Sequence, residues 1–360
     1  MTTISFTGDI AFSGYFSGKY QPEILDERII GFLTDSDYTV ANVEGPVTDH
    51  TDDKTFHHSN PTAAVPFLRA INANIWNLGN NHTFDFGVKG IEDTISIAGQ
   101  NDIPTIGAGR ADRIIEPLIL GDNELALVSV TYSGNQRTQD GVAYGTLHWQ
   151  DKALPRIIAD ARRRCRWCVV IAHCGDEFTP LPMPYVRKTY RRFLEYGADL
   201  VIGHHPHVVQ NYETVGDKLI VYSLGNFVFD TDYQRCQNHT ELGMLVKFRF
   251  SSSSFQWESM PVRIDREASM IRPCDPIDVF TELSEQQYRK YWPLAARRLE
   301  INQKKARVHL GTFRSPARDY IKRFTHLRHP YGRDIFIGDI LEKTTRYDEN
   351  SSLYQFISQS

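Results

Sequence analysis

The chain has 360 residues, of which 41% are hydrophobic and 23% charged, with a formal net charge of −4. That is the composition of an ordinary soluble globular protein and gives no reason to expect nucleic-acid binding by the chain as a whole. No run approaches the roughly 18 apolar residues of a membrane span. Residues 1–10 lack the basic and apolar regions of a secretory signal, and the five cysteines are too irregularly spaced for a disulfide framework, so a cytoplasmic location is expected.

Short apolar runs at 3–7, 38–43, 75–78, 125–130, 168–172, 200–202 and 219–223 have the length and character of buried strands. Helical patterns fall between many of them, at 22–33, 62–71, 87–100, 149–164 and 184–196. This alternation predicts an α/β layered fold. The pair Cys165 and Cys168 is spaced as a CxxC, but it leads into an apolar strand and reads as two ordinary thiols. After residue 223 the pattern changes. Runs at 244–250 and 255–264 alternate like strands with one exposed face, and four serines, 251–254, join them as a hairpin. Helical patterns follow at 282–298, 301–310 and 315–327.

A boundary near 275 is expected, separating a body of 1–275 from a basic helical extension of 276–360. Residues 282–360 carry a net +6, against −10 for residues 1–281. The extension reads as solvated Arg-rich helices packed on the body, with contact to a polyanion or membrane surface as the alternative.

The chemistry concentrates where strands end. In an open α/β sheet, ligands bind beyond the carboxyl ends of the strands. Here those ends carry Asp9, Glu44, Asn80-Asn81-His82 followed by Asp85, His173 with Asp176 and Glu177 just beyond, His204-His205-Pro206-His207, and Asn226. Each has an ordinary explanation alone: a helix cap, a turn residue, a core histidine or a surface pair. Together, crowded carboxylates and imidazoles would repel or go unsatisfied without a shared cation. Mixed His and carboxylate donors suit Zn, Mn or Fe rather than Ca. Side chains two apart on an extended stretch share a face. That spacing predicts that His205 and His207 converge while His204 points away and is expendable.

The segments around Asp9, Asn42–Thr48, Gly79–Gly87, His173, Gly203–Gln210 and Ser223–Phe227 resemble the CapA/PgsA-type proteins of poly-γ-glutamate capsule synthesis, a branch of the calcineurin-like metallophosphoesterase superfamily. The resemblance spans roughly residues 1–265, in order. It implies a four-layer αββα sandwich with a centre of two divalent metals, Mn, Zn or Fe, between the sheets. By motif, Asp9 and His207 would bind the first metal, Glu44 would bridge, and Asn81, His173 and His205 would bind the second. His82, oriented by Asp85, would be the catalytic group that contacts the phosphate or protonates the leaving oxygen. Asn226 would hydrogen-bond substrate or support a ligand from behind, and Glu177 and Arg187 would line the substrate pocket. Two sequence features depart from the superfamily pattern and fit this branch: Ala11 stands where the first motif usually has His, and Asn42-Val43-Glu44 replaces a Gly-Asp.

The implied activity is hydrolysis of an anionic phosphoester by a metal-bound hydroxide. The alternatives are cleavage of an amide or γ-glutamyl bond, or a non-catalytic accessory role in poly-γ-glutamate synthesis or binding.

Overall fold

Strand and helix alternate from the start of the chain, and the computed structural model describes residues 1–51 and 57–296. The first half runs β1 (Thr2–Gly14), α1 (Glu27–Thr34), β2 (Tyr38–Val43), α2 (Val65–Ala70), β3 (Ile75–Asn77), α3 (Gly87–Gln100) and β4 (Thr105–Ile106). Short strands β5 (Ala108–Arg110) and β6 (Leu118–Leu120) precede β7 (Leu125–Thr131) and the hairpin β8 (Gln136–Gln139) and β9 (Val142–Thr146). Then come α4 (Leu154–Arg164), β10 (Trp167–His173), α5 (Pro184–Tyr196), β11 (Leu200–His204), β12 (Tyr212–Val215) and β13 (Lys218–Val221). The series ends with β14 (Asn226–Asp230), the short α6 (Asp232–Arg235), β15 (Leu242–Phe250), β16 (Phe255–Asp265) and β17 (Met270–Pro273).

The seven buried strands read from the sequence are all present, and α3 and α5 have the expected bounds. α5 shows why: Pro184 opens it, where a missing N–H costs nothing, and Gly197 at φ +122 closes it.

Two sheets carry the fold. The first has the order β17-β16-β15-β1-β2-β3-β4, with β14 alongside the second half of β1. The second has the order β12-β13-β11-β10-β7-β6. Strands β1 to β4 run parallel, as do β7, β10, β11 and β13, so each sheet presents a set of carboxyl ends. The predicted serine hairpin is the antiparallel pair β15 and β16. β5, β9 and β8 form a small third sheet that the sequence pattern did not reveal.

The alternation of side chains stacks the layers. Ile4, Phe6, Val40 and Ile75 of the first sheet share one core with Leu127, Val169, Ile171 and Ile202 of the second. Ala41, Val43 and Trp76 face the opposite way, into a core with Ile29 and Leu33 of α1, Phe67 and Leu68 of α2, and Ala98 of α3. α4 and α5 cover the outer side of the second sheet through Ile158, Tyr190 and Phe193. The result is helices, sheet, sheet, helices, the four-layer α/β arrangement that the resemblance implied.

Residues 285–296 are helical, and Ile277, Val279, Leu283, Tyr288, Tyr291 and Ala295 join the same cluster of buried side chains as α5 and the second sheet. The helices expected at 301–310 and 315–327 lie outside the described residues. Among the described residues, no helix is long and apolar enough to cross a membrane. Cys165 and Cys168 are buried, and burial pushes the Cys168 thiol up to about 12, so neither is poised for thiolate chemistry.

Candidate metal centre

The strand register aims a set of polar side chains into the gap between the sheets. On β2, Val40 and Asn42 point inward while Ala41 and Val43 point to the helices; on β3, Ile75 and Asn77 do the same around Trp76. On β1 the register shifts between Phe6 and Asp9, so the inward face passes from Ile4 and Phe6 to Asp9 while Ile10 and Phe12 join the helix-side core. Gly8 permits this course, since a Cβ there would stand 2.4 Å from the carbonyl oxygen of Gly225. From the second sheet, β10 ends in His173 and β11 in His204, side by side in register. The centre therefore lies between the carboxyl ends of two sheets.

Asp9 is fully buried. Its Oδ1 accepts from Asn42 Nδ2 at 2.8 Å and meets His204 Nδ1 at 3.0 Å; its Oδ2 lies 3.2 Å from His207 Nδ1. Burial acts to raise this carboxyl, but the hydrogen bonds to His204 and His207 outweigh it and hold the group well below the usual carboxylate range.

A hydrogen-bonded chain supports Asp9 from behind. Ser129 Oγ donates to Asn77 Oδ1 at 2.6 Å, and Asn77 Nδ2 donates to Asn42 Oδ1 at 2.6 Å, which turns the Asn42 amide N–H toward Asp9. Asn77 precedes the residues singled out at the end of its strand, and the strand of Ser129 has no singled-out end residue, so reading strand ends missed both. Their signal is a polar residue in an otherwise apolar strand.

Glu44 is the anomaly. It is fully buried, yet neither carboxylate oxygen has a hydrogen-bond partner among the described residues. Its Oε1 faces three imidazole nitrogens: His82 Nε2 and His173 Nε2, each at 3.7 Å, and His207 Nε2 at 3.8 Å. These gaps are long for hydrogen bonds. They are close to the roughly 3–4 Å that separates donors sharing one ion at bond lengths of about 2.0–2.2 Å. Burial pushes the Glu44 carboxyl up to about 8. For its partner His207, burial lowers the imidazole, but the charge of Glu44 and the Asp9 hydrogen bond prevail and raise it.

The loop after Glu44 turns at Gly45, φ +84, where a Cβ would stand 2.3 Å from the carbonyl oxygen of His58. That close approach brings the 57–60 segment over the site.

His82 and Asp85 form the expected pair, Nδ1 to Oδ2 at 2.7 Å, leaving His82 Nε2 on the Glu44 side. The same Asp85 oxygen accepts the His58 backbone N–H at 2.8 Å, and the His58 ring packs on His82 with centroids 4.3 Å apart. Burial lowers His82, but the charge and hydrogen bond of Asp85 win, so its imidazole stays above the ordinary value. Asn81 Oδ1 lies 2.8 Å from His173 Nε2, which brings these two expected ligands together. Burial keeps His173 and His205 well below the ordinary histidine range, and hence neutral, the form that binds metals.

Two groups of potential ligands result: Asp9, Glu44 and His173, and Glu177, His205 and His207. In each, one donor atom per residue lies within 4.8 Å of the others. The unpartnered Glu44 oxygens and the unpartnered, buried Nδ1 of His205 show that this donor set fits divalent cations.

Two expectations need correction, those for His204 and Arg187, and Asn226 takes one of its two expected roles. His204 does not point away: it is buried against Asp9, and its ring stacks with His173. Strand geometry stops at His204, and His205 (φ +95) and His207 (φ +57) have positive φ, so the alternation does not run through the motif. Asn226 has no group left for substrate: its Oδ1 meets His207 Nδ1 at 3.0 Å, and its Nδ2 donates to Gln234 Oε1 and the Thr240 carbonyl. It orients His207. Arg187 does not line the site either. It is buried in ion pairs with Glu213 and Glu285 and lies over the Tyr288 ring, tying α5 to the 285–296 helix.

A family model described as "Bacterial capsule synthesis protein PGA_cap" matches residues 3–231. The chain is similar to "PGA biosynthesis protein CapA" of Bacillus subtilis (strain 168), at 29% identity over 65% of this chain and 65% of that protein. It is also similar to "Capsule biosynthesis protein CapA" of Bacillus anthracis, at 28% identity over 66% of this chain and 62% of that protein. The chain thus spans just under two thirds of the length of these relatives. Among solved structures, a 5'-nucleotidase precursor from Thermus thermophilus aligns at 11% identity with a TM-score of 0.41, covering 75% of this chain and 55% of that one.

Proposed function

The chain belongs to the bacterial capsule synthesis PGA_cap family, and on that footing we propose that it is a metal-dependent hydrolase of phosphoesters. The observation that carries this reading is the buried, unpartnered Glu44 carboxylate facing three imidazole nitrogens beside a His82–Asp85 pair.

Asp9, Glu44, Asn81, His173, His205 and His207 are the residues that would hold the cations. Bound divalent ions supply Lewis-acid stabilisation of charge on a phosphoryl oxygen and lower the pKa of water. Asp85 fixes the His82 ring through Nδ1, so the Nε2 proton faces the site. Asp85 raises the His82 imidazole and so favours its protonated form, which would deliver that proton to the departing alkoxide oxygen. The His58 backbone N–H holds Asp85 in turn, and the rings of His58, Phe229 and Phe178 crowd His82 and His207 and limit water. Asn42, Asn77, Ser129 and Asn226 lock ligand orientations.

A second reading draws on what the relatives are named for. Proteins of PGA and capsule biosynthesis handle an anionic polymer, and this chain would do so as a metal-bearing accessory or by cleaving its amide bonds.

The test is metal content followed by hydrolysis of p-nitrophenyl phosphate and bis-p-nitrophenyl phosphate with Mn, Zn or Fe(II) added. Turnover is expected in the wild type, with a loss of about 10²–10⁴-fold in His82→Ala at unchanged metal content. Bound metal without turnover on either ester favours the second reading. Failure of the wild type to take up metal removes both.

A further inference from the structure

We propose that Glu177, on the loop between β10 and α5, is a metal ligand that completes a second cation position with His205 and His207. The inference rests on the metal-centre reading above and assigns a carboxylate that the sequence placed only among substrate contacts.

One donor atom from each of Glu177, His205 and His207 lies within 4.8 Å of the others. Independently, His205 is 1% exposed and its Nδ1 has no hydrogen-bond partner among the described residues. A buried polar atom left unmatched by the polypeptide points to a group that meets it from outside the chain.

The loop is built to hold the carboxylate there. Phe178, next to Glu177, is left-handed at φ +60, a conformation that is strained for a bulky residue. Several contacts enforce it. The Phe178 N–H donates to the Pro206 carbonyl at 2.8 Å, Gln210 Nε2 donates to the Thr179 carbonyl at 2.7 Å, and the Tyr185 hydroxyl donates to Asp176 Oδ2 at 2.5 Å. The loop is therefore fastened to Pro206, the residue between the two histidines. On its far side the Tyr233 hydroxyl of α6 donates to Glu177 Oε2 at 3.3 Å, aiming the carboxylate as an outer-shell partner does.

Charge points the same way. Glu177 is the third carboxylate of the site, and its field reaches both Glu44 and His207. Cation binding requires neutral ligand imidazoles and ionised carboxylates, and in that state Asp9, Glu44 and Glu177 sum to −3. One divalent cation leaves that sum negative, whereas two make it positive, which suits an anionic substrate.

The experiment is equilibrium dialysis against Mn²⁺ or Zn²⁺ alone, with metal counted per chain, for the wild type, Glu177→Gln and Tyr233→Phe. The wild type is expected to hold two ions and Glu177→Gln one, with the thermal midpoint of the metal-free protein unchanged. Tyr233→Phe is expected to hold two, the weaker bound about tenfold less tightly. If Glu177→Gln does not fold, Tyr233→Phe carries the test, and wild-type affinity for both ions in that variant overturns the proposal. Two ions retained by Glu177→Gln with wild-type affinities also overturn it. The hydrolase reading fails separately: loss of one ion in Glu177→Gln with no ester turnover in the wild type keeps this ligand and discards that activity. Ester turnover with unchanged stoichiometry does the reverse.

Discussion

The layer between the two sheets is apolar at one end and polar at the other, although the same strands build both. At the amino ends, Ile4, Phe6, Val40 and Ile75 pack with Phe248 and the second sheet. At the carboxyl ends, the same inward face carries Asp9, Asn42, Glu44 and Asn77 against Ser129, His173 and His204. The apolar end needs nothing but burial. At the polar end hydrogen bonds satisfy Asp9, Asn42, Asn77 and His204, whereas among the described residues Glu44 and His205 have buried atoms left unmatched. Stability is concentrated at one end and the capacity for chemistry at the other, because unpaired buried polar atoms are tolerable only where a ligand repays them.

Perturbing each end separately tests that division. Phe248→Ala, in the middle of the aromatic cluster with Phe6, Phe250 and Trp257, should cost about 3–5 kcal/mol in urea unfolding. Metal stoichiometry in the folded fraction should stay unchanged. If metal is lost as well, the two ends are not independent. Removing metal with a chelator should act only at the polar end. At a metal concentration about 100-fold above the dissociation constant, the holoprotein should be roughly 2.7 kcal/mol more stable than the metal-free form, read as a shift in thermal midpoint. Equal midpoints would mean that the unmatched Glu44 and His205 atoms are not met by a cation.

Two smaller effects sharpen the picture. Ser129→Ala strips the donor from buried Asn77 Oδ1 and should cost about 1–3 kcal/mol. It should also weaken metal binding, because Asn42 loses the brace that turns it toward Asp9. A variant that loses stability but binds metal normally would limit Ser129 to packing. The last effect is a pH dependence. Glu44 titrates at about 8 in the metal-free site, so below that pH a cation has to displace its proton. Metal affinity should rise with pH through 8 and go on rising above it while the raised His207 imidazole loses its proton, by up to about tenfold per unit for each proton displaced, or roughly 1.4 kcal/mol. Calorimetric titration on either side of pH 8 reads this directly, together with the protons released.

The sequence by itself determined the strands and helices, and with them the position of almost every candidate donor. Those patterns are local: runs of Val, Ile and Leu mark buried strands, and Pro184 and Gly197 punctuate α5 in the sequence itself. A strand end is also a local feature, so Asp9, Glu44, Asn81, His173, His205 and His207 were legible as a set. The tertiary structure alone decided which of these residues meet. His204 and Asp9 are 195 residues apart and touch only because two sheets face one another. The positive-φ backbone at His205 and His207, where the period-two expectation breaks down, is held by contacts from Asp9 and the Phe178 loop. The burial of Arg187 depended on Glu213 and Glu285, 26 and 98 residues away. Asn77 and Ser129 acquired a role only when the second sheet closed over the first. Periodicity records which face a side chain takes along its own strand, but the partner on the opposite sheet is set by packing between distant segments, which no local pattern encodes.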